Sequence, residues 1–133
     1  MGGVKIGPKK YFLAGGLSST RQIIAKDSYI YNLETNKVDI VAEMIDRRYT
    51  FPMSYIPPYV YAIGGRNYGT NEVAIMRSCE RFNLETHKWE RISSIQHRRC
   101  SSHSIVFNNE IYIMGGFQIP KKRVAIIEKY DCT

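Results

Sequence analysis

The sequence predicts an all-β fold built from repeated four-stranded antiparallel sheets, and three observations lead to this prediction. Apolar runs rich in β-branched and aromatic residues alternate with short polar turns, as in the segment from Ser104 to Phe117, where Asn108-Asn109 form the turn. Three such runs end on a glycine pair: Gly15-Gly16, Gly64-Gly65 and Gly115-Gly116. The second glycines, at positions 16, 65 and 116, are 49 and 51 residues apart, and repeats of about 50 residues are typical of β-propeller blades.

The first repeat is expected to span residues 1–46. Two strands form a hairpin that ends on the first glycine pair, a polar loop from Leu17 to Lys26 follows, and two further strands complete the unit. The expected strands are Val4–Ile6, Tyr11–Ala14, Ser28–Leu33 and Lys37–Val41. Four consecutive strands with short turns predict an antiparallel meander, which is one propeller blade.

The second repeat is expected to span residues 47–97. Its first hairpin consists of Thr50 to Ile56, a turn at Pro57-Pro58, and Tyr59 to Ile63. After a long loop, residues 78–95 align without a gap on residues 27–44, which sets Phe82 on Tyr31 and Trp89 on Val38. The alignment indicates that both segments form the third and fourth strands of a blade.

The third repeat is expected to span residues 98–133. It contains the last glycine pair, and Tyr130 occupies the place of Phe82 and Tyr31. The chain stops at Thr133, so this blade is expected to lack its outermost strand.

Several repeated residues together resemble the kelch-repeat family, most closely the kelch domain of BTB-kelch proteins. The resemblance covers nearly the whole chain and depends on the glycine pair after an apolar strand, an aromatic residue in the third strand, a Trp in the fourth, and an Arg that opens the next blade. Besides the glycine pairs, these residues are Tyr31, Phe82, Tyr130, Trp89, Arg48 and Arg99. The first repeat departs from the pattern, with Val38 in place of the Trp. The resemblance implies a partial kelch β-propeller of about three four-stranded blades, the last incomplete.

These repeated residues are expected to hold the fold together. Where inner strands converge on the axis, glycine provides positive φ angles and needs no space for a Cβ atom. The aromatic residues and Trp89 would fill the space where blades splay apart. Arg48 and Arg99 could face a central pocket, but we favour hydrogen bonds to loop carbonyl groups between blades.

The resemblance implies a non-catalytic protein-recognition module. Three widely spaced cysteines, an odd number, favour reduced thiols, so we expect the chain in the cytoplasm. The specific expectation is the substrate-binding kelch region of a BTB-kelch adaptor for a cullin-type ubiquitin ligase. Two alternatives are an actin-binding cytoskeletal scaffold and a propeller similar to the copper oxidases. A blade series too short to close a ring also exposes apolar end faces, through which the chain could associate with itself unless it belongs to a longer protein.

Candidate partner-binding residues lie in loops at one mouth of the ring, because loops on a rigid scaffold commonly carry binding. They follow the glycine pairs and the opening arginines: Arg66, Asn67, Tyr68, Tyr49, Thr50, Cys100, Ser101 and Phe117. The donor groups of Arg66 and Asn67 suit a carboxylate of a partner peptide, and the aromatic residues suit anchoring contacts.

Composition agrees with a protein or acidic-peptide partner. The chain has 133 residues, with 19 Lys and Arg against 12 Asp and Glu, so its formal net charge is +7. The basic residues are scattered, which does not favour nucleic acid, and no apolar run approaches the length of a membrane span. No phosphate-binding loop, nucleophile motif or metal-ligand spacing occurs, so we expect no catalytic residue, no cofactor and no metal.

Overall fold

The computed structural model describes residues 1–119 and 122–131. Within them the regular structure consists of β-strands and one short 3-10 helix, Glu72–Ala74, which confirms the all-β prediction. The strands are β1 (Gly2–Gly7), β2 (Lys10–Ala14), β3 (Leu17–Ser18), β4 (Ile23–Ile24), β5 (Ser28–Asn32), β6 (Lys37–Val41), β7 (Met53–Ile56), β8 (Tyr59–Ile63), β9 (Cys79–Asn83), β10 (Lys88–Ile92), β11 (His103–Phe107), β12 (Glu110–Met114), β13 (Phe117–Gln118), β14 (Lys122–Arg123) and β15 (Glu128–Tyr130).

Three antiparallel sheets contain most of these strands. Sheet one has the order β1-β2-β5-β6, sheet two β7-β8-β9-β10 and sheet three β11-β12-β15. Two short ladders, β3-β4 and β13-β14, lie in the loops that follow the glycine pairs of sheets one and three. Sheets one and two are complete four-stranded meanders, whereas no fourth strand pairs with β15 among the described residues.

The sheets are arranged as neighbouring blades of a partial β-propeller. Their first strands lie next to one another, with β7 in contact with both β1 and β11. The hydroxyl groups of Ser54 in β7 and Ser104 in β11 are 2.7 Å apart and link two of these inner strands. Successive strands of each sheet therefore lead outward from a common axis.

The two ends of the sheets differ in their connections. At one end lie tight turns such as Asn108-Asn109, whose φ angles of 51° and 58° suit a two-residue hairpin turn. The glycine pairs lie at the other end, where Gly16 and Gly65 donate to the carbonyl groups of Arg48 and Arg99, each 3.0 Å away. We call this second end the mouth, because the loops between sheets also converge there.

The interface between sheets one and two is aromatic. Phe12 of sheet one packs against Phe82 and Trp89 of sheet two, with ring centroids 5.0 and 5.8 Å away. The indole N–H of Trp89 donates to the carbonyl oxygen of Ala42 at 2.8 Å, which fixes the segment leaving sheet one. The aromatic residues thus fill the space between two splayed sheets, as the repeat pattern predicts.

The interface between sheets two and three is mainly aliphatic. Ile63 and Ile95 from sheet two and its exit loop pack with Ile111 and Ile113 of sheet three, all nearly inaccessible to solvent. Tyr130 belongs to the same cluster, and its hydroxyl donates to the carbonyl oxygen of Ser93. Tyr130 therefore supports the exit segment of sheet two as Trp89 supports that of sheet one.

The outer faces of the series carry exposed apolar side chains. On sheet one Val38 and Ile40 are 53% and 81% exposed, and on sheet three Ile105 and Phe107 are 52% and 62% exposed. Tyr31 also lies on the uncovered face of sheet one, where it is half-buried and bonds to Asn36. The aromatic position of the repeat is thus deeply buried only where a preceding sheet covers it.

Two of the differences between the expected and the observed strands have a clear structural reason. The loop from Leu17 to Lys26 contains the β3-β4 ladder, because Leu17 pairs with Ile24 and Ser18 with Ile23. The strand expected from Thr50 begins at Met53, because Thr50 has a φ of 52° and Phe51 is buried in the first interface. The end of the expected third blade, residues 132 and 133, lies outside the described residues, and the blade boundaries remain predictions.

Candidate functional site

The opening arginine of sheet two is buried and holds the strand ends together. The guanidinium of Arg48 donates to the carbonyl oxygens of Gly64 and Ser78 at 2.7 and 2.9 Å. It also forms an ion pair of 2.9 Å with Glu80, and both side chains are almost fully buried. A buried cation that is paired in this way serves the architecture and is not available to a partner.

Arg99 repeats this arrangement one sheet later. Its guanidinium donates to the carbonyl oxygens of Gly115 and Ile126 at 3.1 and 2.9 Å and pairs with Glu128 at 2.9 Å. Glu80 and Glu128 were not identified from the sequence. A signal was present, because each precedes the third-strand aromatic residue by two positions, Phe82 and Tyr130 respectively.

A cleft at the mouth lies between the loops of sheets one and two. Its volume is about 450 Å³, and it brings together four of the predicted partner-binding residues. The lining residues are Leu17, Ser18, Ser19, Gln22, Ile24, Tyr49, Arg66, Asn67, Tyr68 and Gly69. We call it the mouth cleft, and it is the candidate functional site.

Backbone pairing positions the residues of the mouth cleft. Arg66 and Tyr49 exchange two backbone hydrogen bonds of 2.8 and 3.0 Å, which fixes the first residue after the second glycine pair. The hydroxyl of Tyr68 accepts a hydrogen bond of 3.0 Å from the backbone N–H of Ile24. The cleft therefore forms only where the loops of two sheets meet.

Two polar side chains of the cleft, Arg66 and Asn67, have donor groups that no described residue uses. The Arg66 guanidinium makes no hydrogen bond or ion pair with any described residue, in contrast to Arg47, which donates to the carbonyl oxygen of Ile24 at 3.0 Å. The side-chain oxygen of Asn67 already accepts the backbone N–H of Tyr68 at 2.7 Å, which leaves its amide N–H groups for a ligand. Such a cleft is suited to an acceptor.

Thr50 and Ser101 occupy equivalent strained positions beside the axis. Their φ angles are 52° and 54°, a left-handed conformation that a β-branched residue such as Thr rarely adopts. The backbone N–H of Ser101 donates to the carbonyl oxygen of Thr50 at 2.7 Å. Both residues are exposed, but neither lines the mouth cleft.

The last two predicted partner-binding residues lie at the next junction. Phe117 is 43% exposed, and its backbone pairs with Cys100 through hydrogen bonds of 2.9 and 3.1 Å. Cys100 itself is only 7% exposed, and its thiol lies 3.7 Å from the Phe117 carbonyl oxygen. The Cys100 side chain is therefore largely shielded from solvent, and its part in partner binding stays a prediction.

A second cleft at the mouth has a different character. It measures about 350 Å³ and contains Arg77, Arg98 and Asp46 among mostly polar neighbours. Arg98 donates to the carbonyl oxygen of Ile75 at 3.0 Å, as Arg47 does one repeat earlier. Within residues 1–119 and 122–131, no cluster of three or more His, Cys, Asp or Glu side chains could hold a metal ion. That part of the chain also has no helix able to cross a bilayer.

Radial sheets, glycine pairs with positive φ and buried opening arginines define a partial β-propeller, and comparison with known proteins specifies its family. The Kelch motif family matches residues 47–96. Kelch-like protein 25 of Xenopus tropicalis is 30% identical over 93% of this chain and 20% of its own length. Kelch repeat and BTB domain-containing protein 2 of Cowpox virus is 33% identical over 78% of this chain and 18% of its own length. An F-box/kelch-repeat protein of Arabidopsis thaliana is 27% identical over 97% of this chain and 35% of its own length.

The chain belongs to the kelch-repeat family and is related to the kelch domains of BTB-kelch proteins. It spans between about a fifth and a third of the length of these curated relatives.

Proposed function

We propose that this chain is a non-catalytic protein-recognition module that binds an acidic segment of a partner protein at the mouth. The observation that carries this proposal is the free Arg66 guanidinium in a cleft that is otherwise lined by neutral side chains. A guanidinium fork matches a carboxylate geometrically, and a partly desolvated site strengthens the pairing. The rigid sheets keep the loops in place, so the binding surface exists before the partner arrives.

The specific role that we propose is substrate recognition for a BTB-kelch adaptor of a cullin-type ubiquitin ligase in the cytoplasm. Support comes from the relative whose name includes both a kelch repeat and a BTB domain. An F-box relative shows that kelch repeats also occur with another partner domain. Expression of the full reading frame in cells, followed by co-precipitation, tests this role: recovery of a cullin supports it, and recovery of the substrate without any cullin contradicts it.

Capture of partners by the purified chain tests the recognition function itself. The wild type is compared with Arg66→Ala and with Lys88→Ala, an exposed control at the end of the sheets opposite the mouth. We expect a partner that the wild type and the control retain and that Arg66→Ala loses. Equal recovery of every captured protein by all three chains would contradict binding at the mouth cleft.

Binding to filamentous actin is a second candidate, favoured by the net charge of +7. At the mouth, the side chains of Arg77 and Arg123 are exposed and bond to no described residue, so they could face an acidic filament. Co-sedimentation with actin filaments at low and moderate salt tests this candidate. Binding that Arg77→Ala with Arg123→Ala abolishes would support it, and a chain that stays in the supernatant at low salt would exclude it.

A further inference from the structure

The outer face of sheet three carries the residue types that fill the first internal interface. Within the chain, Phe12 of sheet one packs on Phe82 and Trp89 of sheet two. Tyr112 holds the position of Phe12 in sheet three, and no further sheet among the described residues covers it. Ile105 pairs with Tyr112 and lies on the same face, where it is 52% exposed. This face is therefore one half of a propeller interface.

The outer face of sheet one carries the other half. Tyr31 and Val38 occupy the positions of Phe82 and Trp89, and they share one face because they pair with each other across β5 and β6. Ile40 lies on the same face, since side chains two positions apart in a strand have the same orientation. Its side chain is 81% exposed. A preceding sheet would meet these residues as sheet one meets the aromatic residues of sheet two.

The outer face of sheet one has no place for the ion pair of the internal junctions. Each buried arginine of the chain pairs with a glutamate two positions before the third-strand aromatic residue. The equivalent residue of sheet one is Tyr29, so an arginine that entered this face would be buried without a carboxylate. The face therefore suits an apolar surface without an unpaired cation. On the outer face of sheet three, Lys129 already lies 3.5 Å from Glu110 of the same sheet.

The number of sheets fits closure by two copies. A β-propeller typically contains about 4 to 8 blades, and the described chain supplies three. Two copies supply twice that number, six, which is the only multiple of three in that range. A two-fold axis would place sheet three of each copy against sheet one of the other, so all the outer faces would be covered at once.

We propose that two copies of this chain associate head to tail into one closed ring, with the outer face of sheet three of each copy on the outer face of sheet one of the other. Tyr112 of one copy packs against Tyr31 and Val38 of the second copy, as Phe12 packs on the aromatic residues of sheet two within a single chain. The mouth cleft lies within one copy, between sheets one and two, so association and partner binding are tested separately.

Sedimentation equilibrium over a range of protein concentrations tests the association. We expect the apparent mass of the wild type to rise from the 15.4 kDa of a single chain to a plateau at twice that value. A closed ring leaves no free end, so the mass should not grow further. A single-chain mass at every concentration, or a mass that grows without a plateau, would overturn the proposal.

Two variants each block one of the two faces. Ile40→Glu places a carboxylate on the outer face of sheet one, and Ile105→Glu places one on the outer face of sheet three. Each should raise the dissociation constant by at least about a hundredfold, because both interfaces of its ring would bury an unpaired charge. Thr86→Glu adds the same charge in an exposed turn of sheet two, away from both faces, and should leave the dissociation constant unchanged.

A mixture of the two variants distinguishes head-to-tail association from pairing of like faces. In a mixed pair, sheet three of the Ile40→Glu copy meets sheet one of the Ile105→Glu copy, so one of the two interfaces contains no added charge. We expect the mixture to associate more tightly than either variant alone. A mixture no tighter than its components, or one variant that dimerises as well as the wild type, would contradict the head-to-tail arrangement.

Thermal unfolding at a concentration at which the wild type has dissociated separates association from folding. Ile40 and Ile105 are mainly exposed in a single copy, as is Val38, so replacing them should hardly change the stability of that copy. Equal unfolding temperatures would assign any loss of dimer to the interface. If a glutamate lowers the unfolding temperature, serine at the same position replaces it, with an expected weakening of association of about tenfold. Undiminished association of both serine variants would overturn the proposal.

Discussion

At both sheet interfaces of this chain an aromatic side chain bonds to the segment that leaves the preceding sheet, but the aromatic residue differs. Between sheets one and two, Trp89 from the fourth strand packs on Phe12 and Phe82 and donates to the carbonyl group of Ala42. Between sheets two and three no fourth strand is described, and Tyr130 from the third strand donates to Ser93 at the equivalent place. The comparison teaches that the repeat conserves a contact with the preceding exit segment, while the residue that makes it can change.

Each interface contains one buried ion pair, Arg48–Glu80 in the first and Arg99–Glu128 in the second. Substitutions that break these pairs should lower the free energy of unfolding most. Arg48→Met leaves Glu80 buried without its cation, and removal of one member of a buried pair costs about 3–5 kcal/mol. Arg99→Met should lower the unfolding free energy less, because the Glu128 side chain is 9% exposed and that of Glu80 only 1%. Glu128 also keeps a polar neighbour, since its Oε2 lies 3.4 Å from Nδ1 of His97. Urea unfolding measures both free energies, with Arg47→Met as an exposed control. A larger loss for Arg99→Met would contradict this ranking.

Alanine substitutions at Gly64 and Gly115, the first glycines of the second and third pairs, distinguish the cost of backbone strain from the cost of steric crowding. Both have positive φ, 60° at Gly64 and 72° at Gly115, so an alanine at either site is strained by about 1–2 kcal/mol. A Cβ at Gly64 would also lie 2.9 Å from the carbonyl oxygen of Arg99, whereas at Gly115 it would meet no atom of the described residues within 4 Å. We expect Gly64→Ala to lower the unfolding free energy by about 3 kcal/mol, clearly more than Gly115→Ala. Equal losses in urea titrations would show that strain alone matters.

Trp89 and Val38 occupy the same position of the repeat. Trp89 is covered by sheet one, whereas Val38 lies on the uncovered outer face of sheet one. Trp89→Ala removes ring contacts with Phe12 and Phe82, and because the indole is half-buried we expect about 2 kcal/mol, below the 3–5 kcal/mol typical of a fully buried ring. Val38→Ala should change the unfolding free energy by less than about 0.5 kcal/mol, since the side chain is 53% exposed. Thermal denaturation followed by circular dichroism compares them. A similar loss for both would indicate that the outer face of sheet one is covered in solution.

Tyr130→Phe should lower the unfolding free energy less than Trp89→Ala does. It removes the hydroxyl that donates to Ser93 and keeps the ring within the aliphatic interface. Loss of one hydrogen bond of this kind costs about 1 kcal/mol. Tyr130→Ala serves as the comparison, because it removes the buried ring as well. If Tyr130→Phe matched Tyr130→Ala in urea unfolding, the hydroxyl rather than the ring would stabilise the second interface.

Most of the architecture could be predicted from the sequence, because the repeat provides independent copies of each signal. The three glycine pairs, the aromatic residues of the third strands and the turn at Asn108-Asn109 lie where the pattern placed them. Short pairings inside loops were missed, since β3 and β4 are two residues each and carry no periodic signal. The partners of Arg48 and Arg99 were missed as well, although Glu80 and Glu128 stand at a repeated position.

The location of the candidate site and four of its residues could be predicted from the sequence, but the full set of lining residues could not. The sequence pointed to Arg66, Asn67, Tyr68 and Tyr49, and the structure brings these four into one cleft. It also pointed to Cys100, whose side chain is only 7% exposed in the structure. The role of Ile24 in the cleft lining had no signal, because it depends on the hydrogen bond that its backbone donates to Tyr68, 44 residues away.

The sequence by itself determined the repeat, the succession of strands and the positions where only glycine fits, since those features follow from local periodicity and backbone conformation. The tertiary structure alone decided which arginines are buried in ion pairs and which ones at the mouth, Arg66 among them, remain available to a partner. The physical reason is that pairing and burial depend on groups brought together from distant parts of the chain. Arg48 and Arg66 are chemically identical side chains, and only their neighbours in space make the first structural and the second available to bind.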